Sequence, residues 1–349
     1  MFRIIMAIQP IPIPISCVRT LLPFVDLLIE VGAPVDAWLT RHRLPYQLYE
    51  DPEGFIPTRS YWDFVSFAAN KEGIEDLGLR VGHDRTYDAL SVRVLARSYS
   101  APTLYTGLRE FARCVRGEYS GMTVRLSEAP NDSVHLKLCK SFELGTPGFV
   151  QTEWLGLIAL VKVVQLFTGP TWQPDEITLK SDSEILPLAS ALYPDVRFRT
   201  RQPESYISFP KDLLSTRPWR GGSKIAESLE HSDQGCVPRE PPEDFPDSLQ
   251  RILVSYLRDG YPSVDFAAEI AGMSRRTLQR RLGRAGLSYS ELVDRARFDI
   301  ATRLLSQTDA TSLEIAFETG YEDPSHFARM FRRLSGCSPR EYRRRQAIQ

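Results

Sequence analysis

The segment SRRTLQRRLGR, Ser274 to Arg284, sets Arg276, Gln279 and Arg280 three and four residues apart. On a helix this spacing gathers the three side chains on one face, turned away from Leu278 and Leu282. Arginine and glutamine carry the paired donors and acceptors that match guanine and adenine edges in the DNA major groove. The chemistry open to this face is recognition of bases; a basic helix that only meets solvent is the plainer alternative. Ser274 stands at the N-cap position, where its hydroxyl can accept a backbone N–H of the first turn.

The preceding residues position that face. SVDFAAEIAGM reads as a short helix from Ser263 to Ala271, with Phe266, Ala267, Ile270 and Ala271 available for packing, and Gly272 and Met273 turn the chain into Ser274. A helix, a glycine turn and a basic second helix make a helix-turn-helix. The pattern then recurs: Ala316 and Gly320 in LEIAFETGY repeat the spacing of Ala268 and Gly272, 48 residues on. In YEDPSHFARMFRR, Asp323 can cap, Pro324 suits the first helical position, and Phe327 and Phe331 repeat the buried pair. Between the two units, Ser290 to Leu305 reads as one long helix with Leu292, Ala296, Ile300 and Leu304 recurring every four residues. Such a helix would hold the units at a fixed separation, suited to major-groove faces ~34 Å, or ~10 bp, apart.

With GMSRRTLQRRLGRAGLS, RARFDIATRLLSQTD and EIAFETGYEDPSHFARMFRRLSGCSPREYRR on the page, the C-terminal portion resembles the AraC/XylS family of bacterial transcription regulators. One departure is visible: Ser312 occupies a position that is usually apolar in the family, and Leu313 follows it. The resemblance implies double-stranded promoter DNA as partner. It makes Arg276, Gln279 and Arg280 the base readers of the first unit, and Ser325, His326 and Arg329 those of the second. Arg281, Arg284, Arg332 and Arg333, with the Ser274 and Thr277 hydroxyls, are expected on phosphates. Arg281 could instead pair with Glu291 or Asp294, His326 could merely pack or touch phosphate, and Arg343 to Arg345 could be a solvated end. The resemblance further implies a homodimer, contact with RNA polymerase, and activation more often than repression.

Charge follows the same division. From Pro246 onward there are 17 arginines, no lysine and 13 acidic residues, a net +4 against −5 for the remainder. Arginine suits planar, two-donor recognition of phosphate and guanine. The five cysteines, Cys17, Cys114, Cys139, Cys236 and Cys337, are odd in number and lack metal-ligand spacing, which suits a reducing cytoplasm. No unbroken apolar stretch approaches the ~20 residues of a membrane span. The opening MFRIIMAIQPIPIPIS is cut by prolines and reads as an extended arm over 1–17.

Residues 18–220 are expected to form an α+β domain of helices plus an antiparallel sheet. Helices are predicted at Asp36 to Arg43, Thr58 to Asn70, Thr103 to Arg116 and Gln151 to Phe167, the last with Trp154, Leu157, Leu160 and Val164 as a core helix. After Tyr119 the period alternates: Val124 and Leu126, then Val134, Leu136 and Leu138, share single faces, giving an antiparallel hairpin turned at Pro130 to Asp132. A strand at Glu176 to Lys180, a helix at Asp182 to Tyr193 and strands at Val196 to Phe198 and Tyr206 to Phe209 follow. IPTRSYWDF, LGLRVG, SAPTL and PDVRFRTRQPESYISFPKDLL resemble the N-terminal effector domain of one AraC branch, labelled arabinose-binding type. Gly78 to Gly82, GLRVG, lacks the spacing and preceding strand of a dinucleotide site.

Residues 221–246 combine prolines and acids without apolar periodicity and read as a linker. Residues 247–349 form the all-α DNA-binding domain, its first helix capped by Asp247 or Ser248. His42, His83 and His135 are isolated, with no metal pairing or nucleophile nearby, so no enzymatic site, metal or cofactor is expected. The N-terminal domain is large enough to enclose a small effector, and its aromatic content suits an apolar or amphipathic one. The alternative is a constitutive DNA-binding protein whose N-terminal domain only dimerises.

Overall fold

Helical periodicity gives way to alternation at Tyr119, and there the polypeptide passes from a helical layer into a sheet. The computed structural model describes residues 12–220, 239–257 and 260–346. Most of the expected arm, Met1 to Ile11, and most of the expected linker, residues 221–238, lie outside them. The chain divides into two units: Pro14–Leu44 with Thr58–Pro241, and Pro45–Pro57 with Pro242–Gln349 and Met1–Ile13. The second unit therefore takes in an excursion from inside the stretch expected as one N-terminal domain.

In the first unit, helices α1 (Leu22–Glu30), α2 (Val35–Arg41), α3 (Thr58–Glu72), α4 (Leu77–Ala89), α5 (Val92–Tyr99) and α6 (Leu104–Glu118) precede the sheet. Thr103 caps α6 in a reciprocal pair with Thr106, satisfying two N–H groups that helix geometry leaves open. The hairpin forms as expected from β1 (Met122–Ala129) and β2 (Ser133–Lys140), with Val124 opposite Leu138 and Leu126 opposite Leu136. Asn131 and Asp132 turn it in left-handed conformations that their short polar side chains tolerate.

The central helix α7 (Phe149–Thr168) is followed by β3 (Glu176–Thr178), α8 (Leu186–Leu192), β4 (Arg197–Arg199) and β5 (Ser205–Pro210). The strands pair in the order β1-β2-β5-β3-β4. Three of the pairings are antiparallel, but β3 and β4 run parallel, which an all-antiparallel expectation missed. Helix α8 starts at Leu186 and not at Asp182 because Pro187 fits the first turn, where no N–H is needed, and would break a helix begun four residues earlier.

Helix α7 has the length and hydropathy of a membrane span, although it carries Glu153 and Lys162. Most of it is buried inside this unit, where Trp154, Leu157, Ile158, Val161 and Val164 form the core. The GLRVG run is the crossing of α4 over α7. A Cβ on Gly78 would lie 2.0 Å from Gln151 O and one on Gly82 3.0 Å from Ile158 Cβ, so the glycines permit contact that any side chain would block. The described end of the N-terminal arm is extended but not free: Ile15–Cys17 is a buried strand whose Ile15 N–H donates to Ser120 Oγ at 2.9 Å.

The second unit begins at α9 (Phe245–Tyr256), capped by Asp244 rather than by Asp247 or Ser248. Asp244 Oδ1 accepts from Asp247 N–H at 2.9 Å, and Pro246 fits within the first turn. Ser248 instead accepts from Ile13 N–H at 2.9 Å. Residues of the excursion add two more bonds: Phe55 N–H donates to Ser255 Oγ, about two turns along the same face of α9, at 2.9 Å, and Asp51 pairs with Arg303, further along the chain, at 3.2 Å.

Then come α10 (Val264–Ile270), α11 (Arg275–Arg284), the long α12 (Tyr289–Gln307), α13 (Ser312–Glu318), α14 (Pro324–Ser335) and α15 (Pro339–Gln346). In α12 the buried stripe changes face. Leu292, Ala296 and Ile300 are buried as expected, but Ala301 and Leu305 continue the core while Leu304 is only partly buried. At about 100° per residue, Ala301 and Leu305 lie about 180° and 220° round from Leu292. One helix thus serves two cores, and the second contains Ala301, Leu305, Ile315, Phe327 and Phe331.

Candidate DNA-reading helices and ligand cavity

The duplication read from alanine and glycine spacing extends to the hydrogen bonds. Gly272 takes a left-handed φ of 64° and Gly320 one of 75°. In the first unit Gly272 N–H donates to Glu269 O and Met273 N–H to Ala268 O, each at 2.9 Å. In the second, Gly320 N–H donates to Phe317 O at 2.8 Å and Tyr321 N–H to Ala316 O at 2.9 Å. Both turns end a first helix and aim a second one.

Helix α11 starts from Ser274, whose Oγ accepts Thr277 N–H at 3.3 Å. Leu278 and Leu282 are buried, while Arg276, Gln279 and Arg280 are exposed on the other face. Among the described residues none of those three is held by a hydrogen bond or ion pair, so their donors are available to a ligand. In α14 Asp323 is the cap, and Phe327, Met330 and Phe331 are buried. Ser325, His326 and Arg329 face outward. Asp323 Oδ1 accepts Ser325 N–H at 2.8 Å and its carboxylate lies 3.5 Å from His326 Nε2. Those hydrogen bonds, then the nearby His326 and Arg329, hold the Asp323 carboxyl below the ordinary aspartate range.

The residues expected on phosphate divide. Arg284 and Arg332 are exposed and uncommitted among the described residues. Arg281 is half-buried with its guanidinium 5.1 Å from the Phe245 ring centre, so it packs on α9 and pairs with neither Glu291 nor Asp294. Asp294 is taken by Arg333 and by Tyr321 Oη, the latter at 3.1 Å. Ser274 Oγ donates to Thr277 Oγ1 at 3.0 Å, so the two hydroxyls serve the cap of α11. The Ser312 departure is absorbed without loss of the helix: Thr311 caps α13 with Glu314 in a reciprocal pair, leaving Leu313 exposed.

In the N-terminal unit a void lies between α3, α6, β1, β2 and α7. It offers about 60 Å³ to the centres of water-sized spheres. Its lining is mostly apolar, including Trp62, Leu90, Phe111, Val124 and Leu138, with hydroxyls of Tyr61, Thr58 and Thr152. Lys140 enters from the end of β2. Its Nζ donates to Thr152 Oγ1 at 2.9 Å and lies 4.8 Å from the Trp62 ring centre and 4.9 Å from that of Phe149. Burial of the ammonium, offset in part by the charge of Glu153, lowers the Lys140 pKa to about 7. Tyr61 is 2% exposed and its Oη has no hydrogen-bond partner. Among the described residues no His, Cys, Asp or Glu cluster could hold a metal ion.

Residues 267–345 match the family model described as a helix-turn-helix domain, and residues 32–218 match the arabinose-binding domain of AraC transcription regulators. The latter alone spans more than half of the chain. This chain belongs to the AraC family of transcription regulators. It is similar along its length to the regulator VirS of Mycobacterium tuberculosis, with 25% identity covering 92% of this chain and 94% of VirS. It is also similar to the ornithine utilization regulator of Pseudomonas aeruginosa, with 24% identity covering 95% and 96%. Similarity to the transcriptional activator RhaS of Escherichia coli is confined to 107 residues, 34% identical, covering 29% of this chain and 38% of RhaS. The AraC-family chain is thus a DNA-binding regulator with an N-terminal domain of the effector-binding type.

The roles of three side chains in this AraC-family regulator escaped the sequence reading. Arg297, on α12, is 8% exposed, donates to Gly320 O at 2.9 Å, and lies 4.3 Å from the Tyr321 ring centre, gripping the second turn. Arg343 is no solvated end. It donates to Leu305 O and Thr308 O, each at 3.1 Å, and to Ala310 O at 2.6 Å, closing the end of α12. Lys140 is the third, and a signal for it existed: it continues the inward alternation of Val134, Leu136 and Leu138.

Proposed function

We propose that this regulator reads promoter DNA with α11 and α14 in successive major-groove faces ~10 bp apart. Arg276, Gln279, Arg280, Ser325, His326 and Arg329 contact bases, and Arg284 and Arg332 hold phosphates. It acts in the cytoplasm as a homodimer that activates transcription through RNA polymerase, as the family resemblance and the activator RhaS suggest. A small effector bound by the N-terminal domain changes its affinity for the site; such a response requires that the effector prefer one of two states. The reading gives the chain no catalytic role.

The observation that carries the proposal is the repeated turn, hydrogen-bonded alike at Gly272 and Gly320, with exposed polar side chains on the helix that follows each. Selection of duplexes from a random pool by the full-length protein tests it, with affinity measured at several salt concentrations. Two enriched blocks ~10 bp apart support it. One block would reduce the other unit to a phosphate grip, and steep salt dependence without enrichment would leave only non-specific binding. A constitutive protein whose N-terminal domain merely dimerises is the rival reading. The apolar void with an unpartnered tyrosine hydroxyl favours an effector instead.

A further inference from the structure

Two polar groups stand out in the void of the N-terminal unit because the fold leaves them short of partners. Tyr61 Oη has none, although Tyr61 lines the void and is 2% exposed. Leaving a buried hydroxyl unmet costs stability. The Lys140 ammonium has one good acceptor, Thr152 Oγ1, and a long contact to Phe149 O at 3.5 Å, with aromatic faces on its other sides. The nearest acid along α7, Glu153, does not neutralise it. Its carboxylate accepts from Lys180 N–H at 2.9 Å, Ser181 N–H at 3.3 Å, and the Ser181 and Ser205 hydroxyls. The void therefore presents a cation and a free hydroxyl on a mostly apolar wall whose other hydroxyls, Ser16 with Thr58, Thr20 with Tyr119, and Thr152, are already hydrogen-bonded.

Resting on the effector reading above, we propose that this void is the effector site and that its ligand is a small monocarboxylate with an apolar body. The carboxylate meets Lys140 Nζ and Tyr61 Oη while the body packs on Trp62, Phe111 and Leu138. Size follows from the volume. At ~10–15 Å³ per water, the space corresponds to about four to six waters, hence a compact ligand of about six to ten heavy atoms, the upper end requiring side chains of the wall to yield. Benzoate, phenylacetate and hexanoate are of this size.

The test is calorimetric titration and thermal shift of the full-length protein with those three carboxylates and their primary amides. At least one carboxylate should bind and raise the melting temperature, its amide binding about tenfold to a hundredfold more weakly. Lys140→Met should abolish the carboxylate preference, and Tyr61→Phe should weaken the carboxylate about tenfold. A misfolded variant is recognisable, because without ligand Lys140→Met should melt higher than the parent. The Lys140 pKa is about 7 folded against 10.5 for the free side chain, with Glu153, Tyr61 and Tyr119 the titratable groups facing it. Between those values the unfolded chain holds a proton that the folded one lacks, so the parent's stability rises with pH there. The variant's advantage should thus be full below pH ~7 and vanish toward ~10.5.

Equal binding of acid and amide overturns the proposal, as does carboxylate binding undiminished in Lys140→Met, or no binding by any of the three acids. DNA affinity measured on the same samples separates the two readings. A carboxylate that binds through Lys140 but leaves DNA affinity unchanged sustains the site and removes its role as effector.

Discussion

The turn of the first helix-turn-helix stands open, whereas the turn of the second is gripped. A Cβ on Gly272 would meet nothing within 4 Å, while one on Gly320 would come 3.2 Å from Arg297 Nη2. The same contrast runs through the reading helices. Arg276, Gln279 and Arg280 are uncommitted, but in the second unit His326 leans on Asp323 and Arg333 is paired to Asp294. Both copies keep the buried pair four residues apart and the glycine turn. What diverged is the grip on the turn. Each copy also commits side chains of its second helix, Arg275 to Asp265 and Arg281 to Phe245 in the first, Arg333 to Asp294 in the second, but the first leaves Arg276, Arg280 and Arg284 open against Arg329 and Arg332.

The largest effect expected to break this contrast comes from Arg297→Ala. Removing this side chain strips Gly320 O of its donor and Tyr321 of its cation, and should cost about 2 kcal/mol of stability. Footprinting near the melting temperature should show the second contact block failing before the first. Next, Arg280→Ala and Arg329→Ala should each cost ~1–3 kcal/mol of DNA affinity and relax one base position, in different blocks of a selected site. Loss of affinity shared equally by all sequences would reduce the residue concerned to a phosphate contact.

Gly272→Ala should cost roughly 1–2 kcal/mol through its left-handed backbone alone. Gly320→Ala should cost more in chemical denaturation, because Arg297 must also shift. Equal costs would mean the grip on the second turn is slack. The smallest effects concern phosphate: Arg284→Gln and Arg332→Gln should each lower the salt dependence of DNA binding by about one unit of slope. Arg281→Gln and Arg333→Gln should leave that slope nearly unchanged, since Phe245 and Asp294 already occupy them.

What could be read from sequence was local. The hairpin, the capped starts of α11 and α14 and the pairs Leu278/Leu282 and Phe327/Phe331 each depend on residues a few positions apart, where spacing determines geometry. Arg297 was invisible because its acceptor lies on the far side of α13, and Arg343 because it reaches back to carbonyls of an earlier helix end. The stripe on α12 went wrong at Leu304 since one periodicity was extended over two cores. Tyr61 and Lys140 become a pair only once α3, β2 and α7 are packed, and no spacing within either segment encodes the void between them.

The excursion at Pro45–Pro57 has a consequence for the order in which the protein can be made. Ser255 and Arg303 complete their bonds with Phe55 and Asp51, residues that leave the ribosome long before α9 or α12 exist. During synthesis this segment must wait, its partners unmade, while the whole of the N-terminal unit emerges. The DNA-reading half can be finished only when the last part of the polypeptide returns to one of the first.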